Sequence, residues 1–195
     1  MENDSPTQPW FKHNIEERVL ALEKKLSIAG FGNTLFTQMA NVTVGNTIAE
    51  TTLVDSGIGS LLLPANFFVP GRNLTIIGRG FHSASGNPDI TINIKLGTTL
   101  ILTTGAAKCG TDDNDGFEVN GFITCRTAGI NGLLAAQGTY LEHGSGLSGM
   151  INLTTTVINT TISQLIDITV QWGTQASGNT ITMTNLIVQA GTLGQ

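Results

Sequence analysis

Asp89-Ile90-Thr91-Ile92-Asn93-Ile94-Lys95-Leu96 decides the fold. Ile90, Ile92, Ile94 and Leu96 fall on one side of an extended chain, and Thr91, Asn93 and Lys95 on the other. A period of two with β-branched residues marks a half-buried strand. The same period recurs further on. Phe117, Val119, Gly121, Ile123 and Cys125 alternate with Glu118, Asn120, Phe122, Thr124 and Arg126, and Ile166, Ile168, Val170 and Trp172 alternate with Asp167, Thr169 and Gln171. Less regular strands are expected near 40–54, 59–63, 72–82, 98–104, 133–142, 147–158 and 179–190. In the last of these the apolar parity switches from Ile181/Met183 to Leu186/Val188, which predicts a bulge near Asn185.

Turn chemistry separates the strands: Asp55-Ser56-Gly57, Ser85-Gly86-Asn87-Pro88, Asp112-Asp113-Asn114-Asp115-Gly116 and Ser177-Gly178-Asn179. Many short strands without βαβ alternation predict a mainly β, antiparallel sandwich, with a jelly roll as the expected topology. No repeat of fixed period marks a solenoid. Outward positions carry Thr, Asn, Ser or Gly more often than Lys or Glu. Lone domains keep charged surfaces, so this exterior is expected to contact neighbouring subunits.

The N-terminal segment follows a different rule. Residues 1–30 hold nine charges: Glu2, Asp4, Lys12, Glu16, Glu17, Arg18, Glu23, Lys24 and Lys25. Ile15, Val19, Leu22 and Leu26 recur at the 4-3-4 spacing of a coiled-coil seam, with Asn14 as N-cap and Gly30 and Gly32 ending the pattern. So short a helix is unstable alone and must bury its seam. A self-associating three-fold bundle suits the mixed Ile/Val/Leu seam. Two-fold pairing and packing on the chain's own β domain are the alternatives. Upstream, Trp10 and Phe11 are large aromatics suited to a partner's pocket, or to folding back on the helix. The expected organisation is an extended anchoring segment (1–14), a stalk helix (15–30) and a β-sandwich head (31–195).

Composition excludes several functions. Of the 195 residues 12% are charged and nine are Lys or Arg, against a formal net charge of −5, too few cations for a nucleic-acid-binding face. A mean hydropathy of +0.15 argues against a disordered polymer. No run of 18 apolar residues predicts a membrane span, and the polar start (Met1-Glu2-Asn3-Asp4-Ser5-Pro6) does not read as a signal peptide.

No catalytic constellation emerges. His143, Ser145 and Asp167 lack nucleophile-elbow spacing, and the acids, mostly in turns (Asp55, Asp112, Asp113, Asp115), give no pair to nominate for glycoside hydrolysis. Cys109 and Cys125 lack the CxxC or His spacings of a zinc site, and Cys125, on the inward parity of Ile123, is expected to be a buried thiol. The one metal candidate is the acidic turn with Asp112, Asp113 and Asp115, whose oxygens suit calcium, although the run lacks the EF-hand's closing glutamate. The expectation is a chain without cofactor or enzymatic activity.

A heptad helix followed by a charge-poor, Gly/Thr/Asn-rich β domain resembles the structural proteins of tailed bacteriophages. The resemblance is carried by Thr51-Thr52-Leu53-Val54-Asp55-Ser56-Gly57-Ile58-Gly59-Ser60-Leu61, Pro64-Ala65-Asn66-Phe67-Phe68-Val69-Pro70-Gly71, Gly80-Phe81-His82-Ser83-Ala84-Ser85-Gly86-Asn87-Pro88 and Ile168-Thr169-Val170-Gln171-Trp172-Gly173. It covers most of the chain as recurring phrases, with no signature residue. It implies a homotrimer in the virion, assembled in the host cytoplasm. One form is a short tail or baseplate fibre or receptor-binding knob, and the alternative is a capsid cement or decoration trimer. It further implies that the N-terminal segment docks on another virion protein, and that a fibre's head meets a host surface glycan or protein.

Overall fold

The computed structural model describes residues 15–18, 33–111, 113–144, 146–152 and 154–191. The chain divides into two units, Met1–Gly32 and Asn33–Gln195. In the first, residues 15–18 are helical and Ile15 is exposed. Val19, Leu22 and Leu26 of the expected seam, and the aromatics Trp10 and Phe11, lie outside the described residues.

The second unit is built from antiparallel strands in two sheets. The larger sheet contains β1 (Asn33–Gln38), β2 (Val42–Gly45), β4 (Gly57–Gly59), β6 (Asn73–Ser83), β10 (Asp115–Thr127), β11 (Gly132–Glu142), β12 (Gly146–Ile151), β13 (Thr156–Ile158) and β15 (Thr180–Ala190). The smaller contains β3 (Thr51–Thr52), β5 (Leu62–Leu63), β7 (Asp89–Leu96), β8 (Thr99–Thr103), β9 (Ala107–Lys108) and β14 (Gln164–Trp172). The path through the larger sheet is β12-β11-β10-β6-β15-β1-β4, with β13 on β11 and β2 on β15. In the smaller it is β3-β14-β7-β8, with β5 on β14 and β9 on β7.

The alternating runs supply the core. Ile90, Ile92, Ile94 and Leu96 of β7 are fully buried, and β14 pairs with β7 so that Ile168 meets Ile94 and Val170 meets Ile92. Across the sandwich they face Leu74 and Ile76 of β6, Val119 and Ile123 of β10, and Leu186 and Val188 of β15, in one continuous cluster. Each such side chain stabilises the fold by roughly 1.5–3 kcal/mol on burial. The sheets pack closely at Gly121, where a Cβ would lie 2.7 Å from Ile94 Cδ1, so a larger residue there would make the Ile94 side chain shift.

The bulge expected near Asn185 is present as a register shift between Met183 and Asn185 in the pairing of β15 with β6. Gly86 and Asn87 both adopt positive φ (76° and 55°) in the turn from β6 to β7, a conformation that Gly and Asn tolerate best. Three expected strands are each divided, the 59–63 run between β4 in the larger sheet and β5 in the smaller. The 40–54 run breaks at Asn46, whose φ is 52°, because the chain leaves β2 in the larger sheet to form β3 in the smaller. The 147–158 run gives β12 and β13, both paired with β11. The short strands β1 and β9 were outside the expected set.

Candidate functional site

Two features of the Asn33–Gln195 unit could carry function: an outer face and a buried cluster of titratable side chains. The outer face belongs to the larger sheet. Its nine strands carry Arg79, Asp115, Glu118, Arg126 and Glu142 as their only Asp, Glu, Lys or Arg residues. Glu142 is buried, and Arg79 Nε donates to Glu118 Oε2 at 2.7 Å. Asn120 donates to the other Glu118 oxygen, and these bonds hold that carboxyl below its ordinary range.

Beside this pair the face is poor in charge, Arg126 being its other exposed ion. Phe122, 49% exposed, stands between two shallow depressions. One, of about 530 Å³, is bordered by Thr75, Asn120, Thr139 and Leu147, and Leu147 is 68% exposed. The other, of about 340 Å³, is bordered by Thr124, Arg126, Ala135 and Asn152. The alternation that buries Gly121 and Ile123 is what turns Phe122 outward. Such a surface suits contact with another protein surface.

The buried cluster lies at the end of the sandwich where β6 and β11 finish. Inward parity along β6 runs through Leu74, Ile76, Gly78 and Gly80 to His82, and along β11 through Leu134, Ala136, Gly138 and Tyr140 to Glu142. Cys109 follows β9 of the smaller sheet and is held in place by its backbone N–H, which donates to Pro88 O at 2.9 Å. His82 and Cys109 have no exposed surface and Glu142 is 2% exposed. The donor atoms of the three side chains lie within 4.8 Å of one another.

His82 Nε2 is 2.9 Å from Glu142 Oε1, yet the oxygen lies off the ring N–H direction, and neither imidazole nitrogen makes a hydrogen bond. Gly110 N–H donates to the same Glu142 oxygen at 3.0 Å and fixes the carboxylate. Tyr140, packed against Phe117 at a centroid distance of 6.1 Å, keeps its hydroxyl buried without a partner. Burial, reinforced by the nearby Glu142 and Cys109, pushes the Tyr140 hydroxyl well above its usual range. A nitrogen, a sulfur and a carboxylate oxygen thus converge in an apolar surround, a donor set that suits a borderline-soft cation.

The residues expected from the sequence fare differently. In the acidic turn, Asp113 accepts from Ser83 Oγ at 3.3 Å and from Asn114 Nδ2 at 2.9 Å, while Asp115 pairs across the sheet with His82. Asp112 lies outside the described residues, as does Ser145 of the rejected triad. That triad's remaining members do not form a unit: His143 packs on Gly116 beside the larger sheet, and Asp167 accepts from Thr52 Oγ1 at 2.6 Å on the smaller. Cys125 is buried as expected and desolvation raises its thiol pKa, and neither cysteine forms a disulfide.

The cluster of His82, Cys109 and Glu142 was missed because whole strands separate its members in sequence. A signal for it existed. On inward parity His82 and Glu142 each continue an apolar run with an ionisable side chain. Compared with known proteins, the chain matches no family model and no curated sequence.

Proposed function

We propose that this chain is a non-enzymatic structural protein of a bacteriophage virion, a homotrimer serving as a short tail or baseplate fibre or receptor-binding knob. The observation that carries the reading is the charge-poor outer face of the larger sheet, on which Phe122 and Leu147 stand exposed among Thr, Asn and Gly. A face of this kind gains most when a second protein surface covers it. Strand order gives further support. The path β1-β15-β6-β10 in one sheet and β3-β14-β7-β8 in the other has the neighbour order a jelly roll calls for and supports that topology, with β11, β12 and β13 widening the first sheet. In this reading Ile15, Val19, Leu22 and Leu26 set the three-fold axis, and Trp10 and Phe11 anchor the assembly to another virion protein. Three heads on one axis bind a surface through avidity without any further contact.

The test is the mass of the full chain in solution together with its place on the particle. Sedimentation should give three chains per assembly, and Leu22→Asp should yield monomers that keep their β circular dichroism. An unchanged oligomer in Leu22→Asp would remove the stalk from the proposal. Antibody against residues 31–195 should label the tail end of intact particles. Label spread over the capsid would replace the fibre with the cement or decoration trimer.

A further inference from the structure

We propose that His82, Cys109 and Glu142 form a closed structural site for one divalent first-row transition ion, zinc by preference, that ties the two sheets together at one end of the sandwich. The first argument is the polar accounting of the cluster. A fully buried imidazole ordinarily hydrogen-bonds through at least one nitrogen. His82 does so through neither, although a carboxylate oxygen sits 2.9 Å from Nε2. A histidine–glutamate ion pair would align its N–H with that oxygen, since a buried pair offsets its desolvation only with good geometry. Lone pairs that converge without an N–H between them are arranged as ligands are.

Charge and size agree with that reading. A neutral imidazole, a thiolate and a carboxylate sum to two negative charges, so a divalent ion makes the site neutral, as a surround with no exposed surface at His82 and Cys109 requires. A mixed nitrogen, sulfur and oxygen set selects against calcium and magnesium, which take oxygen ligands. Zinc bonds of about 2.0–2.3 Å place tetrahedral ligands roughly 3.3–3.8 Å apart. The three donors lie within 4.8 Å of one another, so an opening of the His82–Glu142 contact and a closing of the widest gap bring them to that spacing.

The shell around the donors is already fixed. Gly110 N–H holds Glu142, and the backbone bond from Cys109 to Pro88 holds the thiol's strand end. Tyr140, two positions before Glu142 on the same side of β11, adds a buried hydroxyl without a partner, a candidate for the fourth donor. With no solvent reaching the donors, the ion would serve the fold and would have no open position for substrate. Because His82 and Glu142 come from the larger sheet and Cys109 from the smaller, the ion would join the two layers. The inference is independent of the virion reading, since it concerns only the inside of the sandwich.

The experiment uses the full chain, unfolded with chelator and reductant and refolded with or without cobalt(II) or zinc(II). The expected result is one equivalent of cobalt per chain, a thiolate-to-metal charge-transfer band, tetrahedral d–d bands, and displacement of all of these by zinc. Cys125→Ser leaves Cys109 as the only thiol without touching the site, so the charge-transfer band should persist in that variant. It should disappear in Cys109→Ser, and His82→Gln should lose metal uptake. Zinc should raise the thermal midpoint of the wild type and of Cys125→Ser. Three results would each overturn the proposal: a folded wild type that takes up no stoichiometric metal, uptake without the charge-transfer band, or a band that survives in Cys109→Ser. If Cys109→Ser does not fold, the band in Cys125→Ser decides alone.

Discussion

The two sheets share one core but present opposite outer faces. The smaller sheet has its polar groups met from within the chain. Glu50, on the segment between β2 and β3, accepts from Thr169 Oγ1 at 2.5 Å, from Lys95 Nζ at 2.9 Å and from Asn93 Nδ2 at 2.9 Å. Nearby, Gln171 donates to Ile48 O at 3.0 Å and Lys108 pairs with Asp89 at 2.8 Å. The larger sheet's outer face has Phe122, Leu147 and neutral polar residues, with the Arg79–Glu118 pair to one side. A face whose polar groups are already satisfied by a covering segment has little to gain from a partner. A charge-poor face with an exposed aromatic between shallow depressions has more to gain from one.

The largest expected effect tests whether the faces are separable at all. Ile94→Ala removes a fully buried side chain that packs against Gly121 of the opposite sheet. It should cost about 2–5 kcal/mol and lower the stability of both sheets in one cooperative transition. Independent melting of the two sheets by hydrogen exchange would break the picture of a shared core. Next comes Phe122→Asp on the larger sheet. Association between copies should weaken by about 2 kcal/mol, roughly 30-fold, with the thermal midpoint of the subunit hardly changed. Equal association in sedimentation experiments would take this face out of the interface.

Glu50 sharpens the other side of the comparison. The hydrogen bond from Thr169, then those from Lys95 and Asn93, hold its carboxyl at about 2, against 4.5 for the free group. The folded-state value is depressed, so this contribution is complete above about pH 4.5 and is lost as the pH falls toward 2. Glu50→Gln should cost about 1 kcal/mol at neutral pH, partial exposure having reduced the figure, and its deficit against wild type should shrink across that acid window. A deficit that stays constant with pH would assign the effect to packing. The smallest change is expected from Arg79→Ala, because this arginine's side chain is 60% exposed. Its unfolding free energy in urea titration should fall by less than about 0.5 kcal/mol, and the difference from wild type should shrink further as salt is added.

The contrast also explains what could be read from the sequence. Strands with one face fully in the core, such as Asp89–Leu96 and the 166–172 part of β14, announce themselves through alternating apolar and polar residues. Edge and crossing pieces do not. Asn33–Gln38 is six residues long, and the run beginning at Val42 changes sheet partway, so period alone misplaces its ends. The outward uncharged positions were visible as composition, though not their grouping around Phe122. Nor could spacing reveal His82, Cys109 and Glu142, because register between distant strands brings them together. Alternation told which side of each strand faces inward, and only pairing told which inward residues meet.

The central place of β15 has a consequence for the order in which the molecule can be made. Thr180–Ala190 lies between β6 and β1, pairs with both, and also receives β2. It is the last of the described strands in the chain, while β1 is the first, so Asn33 must wait for Ala190. During synthesis the nascent sheet therefore has a gap at its centre, with the hydrogen-bonding edges of β6 and β1 open until the final strand arrives. Such long-range closure is slow, and open edges invite pairing with the wrong chain. A polypeptide cut before Thr180 would leave both edges open for good, and should be found in aggregates or with chaperones rather than as a smaller version of the same domain.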